Sequence, residues 1–98
     1  MTPERAHAYR RVLQTLKELG PAKLQAGEQE LIRDAVDSLL FTRDLGEDPA
    51  ARHALRDVET LCGTLVESGR WEEVTASRLV DDVTRCGPDV AVAELKAA

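Results

Sequence analysis

The chain has 98 residues, of which 43% are hydrophobic and 32% charged, and its formal net charge is −5. This length suits one domain, which we take as residues 1–98, and the composition fits neither a disordered tail nor a membrane protein. No apolar run approaches the roughly 20 residues needed to span a bilayer. The N-terminal residues lack the apolar segment of a signal peptide, and two cysteines do not indicate a disulfide framework, so we expect a cytoplasmic protein.

The charge is unevenly distributed. Residues 1–23 carry five Lys or Arg against two Glu, whereas the remainder carries eight basic and sixteen acidic side chains. Because an acidic body repels phosphate backbones, nucleic acid is an unfavourable partner and a basic protein surface fits better. The only aromatic residues are Tyr9, Phe41 and Trp71. A core of Leu, Val and Ala in so short a chain buries little area, so self-association would stabilise it.

The first predicted helix begins at Pro3, with Thr2 as its N-cap, and ends at Gly20-Pro21. Its apolar residues recur on one face: Ala6, Tyr9, Leu13, Leu16 and Leu19, with Val12 beside them. The second helix is predicted from about Glu28 to Arg43. It carries a wide apolar stripe of Leu31, Ile32, Ala35, Val36, Leu39 and Leu40.

The third helix has the clearest start, with Asp48 as N-cap and Pro49 as its first residue, and Gly69 is its predicted C-cap. Its apolar positions keep the i, i+3, i+4, i+7 pattern: Ala51, Ala54, Leu55, Val58, Leu61, Cys62, Leu65 and Val66. Gly63 interrupts this helix at a cost of up to about 1 kcal/mol relative to alanine. We attribute it to close approach of a neighbouring helix, within the chain or across a dimer, with a kink as the alternative.

The fourth helix is predicted from Trp71 or Thr75 to Cys86, with an Asp81–Arg85 ion pair on its polar side. Its apolar side is predicted to consist of Val74, Leu79, Val80 and Val83. Residues 89–98 could form a short fifth helix. The predicted fold is therefore an all-α antiparallel four-helix bundle with a short fifth C-terminal helix as an option.

Asp37-Ser38-Leu39 is the tripeptide at which carrier proteins accept a phosphopantetheine arm on serine. In carrier proteins that serine follows a glycine-containing loop at a helix start, whereas Ser38 lies well inside the second predicted helix. We interpret Ser38 as a solvated helix residue and keep the carrier protein as a minor alternative.

Other site chemistry has little support in the sequence. His7, His53, Cys62 and Cys86 lack zinc spacing, and Glu4-x-x-His7 matches only half of a di-iron motif. The two cysteines fall on apolar stripes and are predicted to pack in the core. No base-activated nucleophile or phosphate loop is recognisable, so we predict no catalytic, cofactor or metal site.

Four residues are candidates for a partner interface: Arg70, Trp71, Gly63 and Phe41. Trp71 is more simply explained as closing the end of the bundle, although Trp and Arg are common at binding hot spots. Phe41 falls on the polar side of the second helix, where it packs under the following loop or meets a partner.

These patterns predict a non-enzymatic interaction or regulatory module with an unidentified protein partner, self-associating through an apolar helix face. The alternative is a DNA-binding regulator that resembles a helix-turn-helix protein and uses the fourth helix. That helix carries Asp81 and Asp82 as well as Arg78 and Arg85. Helices that bind in the DNA major groove ordinarily present basic and amide side chains, so this charge balance is unfavourable.

Overall fold

The computed structural model describes residues 3–88, which form α-helices with short connections. The elements are α1 (Pro3–Lys23), α2 (Ala26–Phe41), a 3-10 turn (Leu45–Glu47), α3 (Pro49–Glu67) and α4 (Glu73–Arg85). No strand occurs within that range, so the predicted all-α fold of four packed helices is confirmed. The antiparallel order stays a prediction, and the optional fifth helix falls in 89–98, outside the described residues.

One hydrophobic cluster joins all four helices. α1 packs mainly on α4, and α3 lies between α2 and α4. The largest fully buried side chains are Ile32, Leu39, Leu65, Leu79, Val12, Val36, Val58, Val83, Cys62 and Cys86. The predicted stripes of α2 and α3 are confirmed, since every member is buried or partly buried in this cluster.

α1 breaks at Gly20, as predicted, but helical structure resumes for one further turn. Gly20 has φ 69° and ψ 176°, a backbone conformation that glycine adopts without Cβ strain. Pro21 then starts the last turn, and the amide of Leu24 donates to the carbonyl of Gly20 at 3.1 Å. The kink lets the chain turn directly into α2.

The predicted apolar face of α1 is confirmed in part, since Val12 and Leu16 are buried and Tyr9 and Leu19 pack against the core. Its centre is shifted by a fraction of a turn, because Ala8 and Thr15 are also buried whereas Leu13 is only partly buried. The helix is rotated because its main neighbour is α4, towards which Arg11 also points to pair with Asp82.

α2 begins two residues earlier than predicted and ends at Phe41 rather than Arg43. Gln25 is the N-cap, and its backbone N–H donates to the Glu28 carboxylate at 2.9 Å. The sequence signal for this helix start was weak, because glutamine is not among the preferred N-cap residues.

The predicted start of α3 is confirmed. Asp48 accepts a hydrogen bond from the Ala51 amide at 3.0 Å and another from the Thr42 hydroxyl. These two hydrogen bonds hold the pKa of Asp48 below its ordinary value of 3.8. Pro49 follows as the first helical residue, where its missing N–H has no partner to lose.

α4 begins at Glu73, between the two predicted starts, and part of its predicted face is wrong. Val74 is 74% exposed, while Asp82 is buried on the side that packs against α1. The predicted ion pair between Asp81 and Arg85 does not form, although both lie in the described range. Arg11 pairs with Asp82 instead, at 2.8 Å.

Candidate protein-binding groove

Two of the four candidate interface residues are engaged within the chain. Arg70 pairs with Glu28 at 2.7 Å, which ties the α3–α4 connection to the first turn of α2. Trp71 is 4% exposed, and its indole N–H donates to the Lys23 carbonyl at 2.7 Å. The interpretation of Trp71 as closing the end of the bundle is confirmed, and its ring offers no accessible surface to a partner in this conformation.

Phe41 is the most exposed large apolar side chain described, at 87%. The expectation that it packs under the following loop is wrong. It lies on the outer face of α2, and the chain leaves the helix at Thr42, which is itself buried. The Phe41 ring therefore stays in solvent.

Gly63 is exposed on α3, and a Cβ at this position would meet nothing within 4 Å. The expectation of a close helix approach within the chain is therefore wrong. The glycine has an ordinary negative φ, so backbone strain does not require it either. The space beside Gly63 opens onto a groove between α3 and α4.

The α3/α4 groove is open to solvent and has a volume of about 530 Å³. Its floor consists of four buried or half-buried apolar residues: Cys62, Val66, Ala76 and Val80. Its rim carries four exposed carboxylates: Glu59 and Glu67 on α3, and Glu73 and Asp81 on α4. No Lys or Arg lines the groove, and within residues 3–88 none forms an ion pair with the rim. The groove is thus apolar below and uniformly negative above.

The two sides of the groove share one sequence pattern. On α3, Glu59, Gly63 and Glu67 are four residues apart, and on α4 the same spacing joins Glu73, Ser77 and Asp81. Residues four apart lie on one face of a helix. Along each rim, an acidic residue, a small residue and a second acidic residue therefore follow one another over about 12 Å. This repeat was a readable signal, but only the packing of α3 on α4 shows that the two patterns face one groove.

A second open groove lies between α2 and α3 and has a volume of about 400 Å³. It is lined by Gly27, Glu30, Leu31, Asp34, Ala35, Ser38, Ala54 and Asp57. Ser38 is exposed here, in the C-terminal half of α2 and far from any helix start. This groove is smaller, and one of its three acids, Asp57, lies 3.6 Å from the imidazole of His53.

Both cysteines are buried and free, which confirms that they pack in the core. Burial raises the pKa of each thiol to about 11. The Cys86 thiol also donates to the Asp82 carbonyl, with sulfur and oxygen 3.4 Å apart. Cys62 therefore contributes an uncharged surface to the groove floor at neutral pH.

Within residues 3–88, no three His, Cys, Asp or Glu side chains form a group that could hold a metal ion. The helices described there are too short or too polar to cross a bilayer. No protein-family model, curated protein or solved structure matches this chain. The groove must therefore be interpreted from its own chemistry.

Proposed function

We propose that this protein is a non-enzymatic interaction module that binds a protein partner in the α3/α4 groove. The observation that carries the proposal is the combination of an apolar floor with four rim carboxylates that form no ion pair within residues 3–88. Apolar side chains at the centre and charges at the edge are the usual arrangement of a protein-binding site.

The energetics of the groove support a partner of opposite charge. Val66 and Val80 are half-buried and offer apolar surface whose removal from water would favour binding, while Cys62 and Ala76 beneath them are already buried. The rim carboxylates remain hydrated in the free protein, and they would accelerate encounter with a basic surface. Cytoplasmic residence belongs to the proposal as well, because two free thiols suit a reducing compartment.

A site-specific photocrosslinker tests the proposed site. Ser77 lines the groove and is exposed, so Ser77→Cys can carry a benzophenone without disturbing the core. Ser38→Cys is the matched control, because Ser38 is an exposed helix serine in the other groove. The native cysteines are buried with raised pKa values and should stay unlabelled.

The probe at Ser77 is expected to yield a discrete adduct in a lysate of the native host, and unlabelled protein should compete it away. A Gly63→Leu protein, whose groove is filled, should not compete. Equal adducts from the Ser77 and Ser38 positions, or competition by Gly63→Leu, would contradict the proposed site.

Self-association is a second candidate, supported by Phe41. A large ring exposed at 87% on the outer face of α2 can pack against its copy. The α3/α4 groove is a poor self-contact, since two copies would bring eight carboxylates together. Sedimentation of the wild type and of Phe41→Ser tests this candidate: a wild-type dimer lost in the variant supports it, and a wild-type monomer at high micromolar concentration contradicts it.

Two further functions predicted from the sequence have weaker geometric support. On α4 the exposed acids Glu73 and Asp81 accompany Arg78 and Arg85, so a DNA-reading helix would be partly repelled. Titration with random duplex at low salt tests that alternative. For the carrier protein, mass spectrometry after incubation with a phosphopantetheinyl transferase tests whether Ser38 gains mass.

A further inference from the structure

We propose that the occupant of the α3/α4 groove is an amphipathic α-helix of a partner protein that carries Lys or Arg along both edges of its apolar face. This inference rests on the proposed function, since it identifies the chemistry of the partner at the same site. Three features of the groove support it: the backbone that forms it, the spacing of its rim and the position of Gly63.

The groove is built from two helices, whose central backbone groups are already hydrogen-bonded within each helix. An extended peptide would need new partners for its own N–H and C=O groups, as it finds at an open sheet edge. No strand occurs in residues 3–88, so that part of the chain has no such edge. A helix forms its backbone hydrogen bonds internally, so it needs only a groove in which its apolar face can pack.

The rim fixes the charge and spacing of the occupant. Glu59 and Glu67 lie about 12 Å apart along α3, and Glu73 and Asp81 lie about 12 Å apart along α4. A helix with cations two turns apart on each edge matches this spacing. Its apolar stripe then faces Cys62, Val66, Ala76 and Val80. An occupant with neutral side chains at these edges would leave the rim carboxylates without an ionic partner, and binding would gain no electrostatic attraction.

Gly63 lies midway along the α3 rim, where a Cβ would meet open space. Its counterpart on α4 is Ser77, the small residue midway along that rim. Small residues at the centre let a third helix approach more closely than the usual 8–10 Å axis separation. This approach offers a reason for the helix-breaking residue that packing within the chain does not provide.

Within residues 3–88, the most basic helix of a second copy does not fit the groove. This helix is α1, and the outward positions of α1 are polar: His7, Arg10, Arg11, Gln14, Lys17 and Glu18. The apolar residues Val12 and Leu16 of α1 are buried in its own core. α1 can therefore supply cations but no apolar stripe.

Three labelled synthetic peptides of about 18 residues, roughly 27 Å as helices, test the inference. The first has Leu and Ala on one face with Lys along both edges of that face. The second replaces every Lys by Glu. The third keeps the composition of the first but is shuffled, so that charge is unchanged and the apolar stripe is lost. Each is titrated at about 0.15 M salt, where the Debye length is ≈8 Å and distant charges are screened.

Four variants locate the binding site. Gly63→Leu fills the groove, and Gly27→Leu is its control, because Gly27 is an exposed helix glycine in the other groove with equally open space. Glu59→Gln with Glu73→Gln removes two rim charges, and Glu30→Gln with Asp34→Asn removes two from the α2/α3 groove. Circular dichroism confirms that each variant is folded.

We expect the cationic amphipathic peptide to bind at least about tenfold more tightly than either other peptide. Gly63→Leu should weaken binding of this peptide about tenfold or more. The double variant Glu59→Gln, Glu73→Gln should weaken it about threefold to tenfold, as expected for the loss of two screened surface ion pairs. Both control variants should change the affinity less than about twofold. Equal binding of the shuffled peptide, no saturation by the cationic peptide, or an equal loss in the controls would overturn the inference. If the Ser77 crosslink still captures a partner, the proposed function stands and only the helical, cationic occupant is wrong.

Discussion

The guanidinium of Arg5 donates from Nε to the carbonyl of Cys86 at 2.8 Å, although the two residues are 81 positions apart. Its Nη2 donates to the carbonyls of Leu39 and Leu40 at 2.6 and 2.8 Å. These carbonyls belong to the C-terminal ends of α2 and α4, where helical partners run out. One side chain from the start of α1 thus caps two helices and holds three elements together.

Replacing Arg5 should destabilise the fold more than replacing any other α1 cation. We expect Arg5→Ala to lower the free energy of unfolding by about 2–4 kcal/mol, because charged donors are lost and carbonyls are left unpaired. Arg5→Lys should recover only part of this, since an ammonium cannot serve two directions as a planar fork does. Urea unfolding measures the loss, with the exposed Arg10→Ala as control. An Arg5→Ala protein as stable as Arg10→Ala would contradict the capping role.

The Arg11–Asp82 pair should behave as a half-buried ion pair. The Asp82 side chain is 6% exposed and its Oδ2 has no hydrogen-bond partner within residues 3–88, while Arg11 is 43% exposed. Arg11→Met leaves a buried carboxylate alone and should cost about 1–3 kcal/mol, after allowance for solvent screening. The double variant Arg11→Met, Asp82→Leu should return to within about 1 kcal/mol of the wild type. A double-mutant cycle from urea unfolding measures the coupling, and additive losses would show that the pair does not interact.

Trp71 is the only tryptophan, so its fluorescence reports the closed end of the bundle. Because the ring is buried, its emission should be blue-shifted and poorly quenched by acrylamide in the native protein. Trp71→Phe removes the bond to the Lys23 carbonyl and should cost about 1–2 kcal/mol. Trp71→Ala should cost about 3–5 kcal/mol. Emission typical of a solvated indole would contradict this placement.

Cys62 and Cys86 should resist alkylation by iodoacetamide at pH 9 until the protein unfolds. Their folded pKa values are about 11, raised by burial from 9.0, so few thiolates form in the native state. The same shift destabilises the fold at alkaline pH. Between about 9 and 11 the unfolded thiols ionise and the folded thiols do not, so stability falls as pH rises through that window.

Mass spectrometry of timed alkylation measures this protection. Ser77→Cys provides an exposed thiol as the internal control, and it should react readily under native conditions. Rapid native labelling of either buried cysteine would show that α3 or α4 opens more easily than its packing implies.

Gly63→Ala should raise the free energy of unfolding by about 0.5–1 kcal/mol. The added methyl group meets nothing within 4 Å, and alanine loses less conformational entropy in a helix than glycine. Gly87→Ala is the contrasting variant, because a Cβ there would lie 3.2 Å from the Leu39 side chain and should bring no such gain. Thermal unfolding compares the two. A destabilised Gly63→Ala protein would indicate that the glycine serves the fold rather than the groove.

Helix existence and most of the core were predictable, since the apolar period of α2 and α3 and the Asp48-Pro49 start are local signals. The orientation of α1 was not, because it depends on which neighbour the helix packs against. The exposure of Phe41 and Val74 follows equally from tertiary packing. For the same reason, the groove could be suggested by the repeated acid–small–acid spacing but only located by the packing of α3 on α4.

The most direct test of the groove is an NMR titration of the labelled protein with the cationic amphipathic peptide. We predict that the largest amide shift changes fall on the residues that line the α3/α4 groove: Glu59, Gly63, Val66, Glu67, Glu73, Ser77, Val80 and Asp81. Gly27, Glu30 and Ser38 in the other groove should move little. Shift changes centred on the α2/α3 groove, or spread evenly over every acidic surface, would contradict the account.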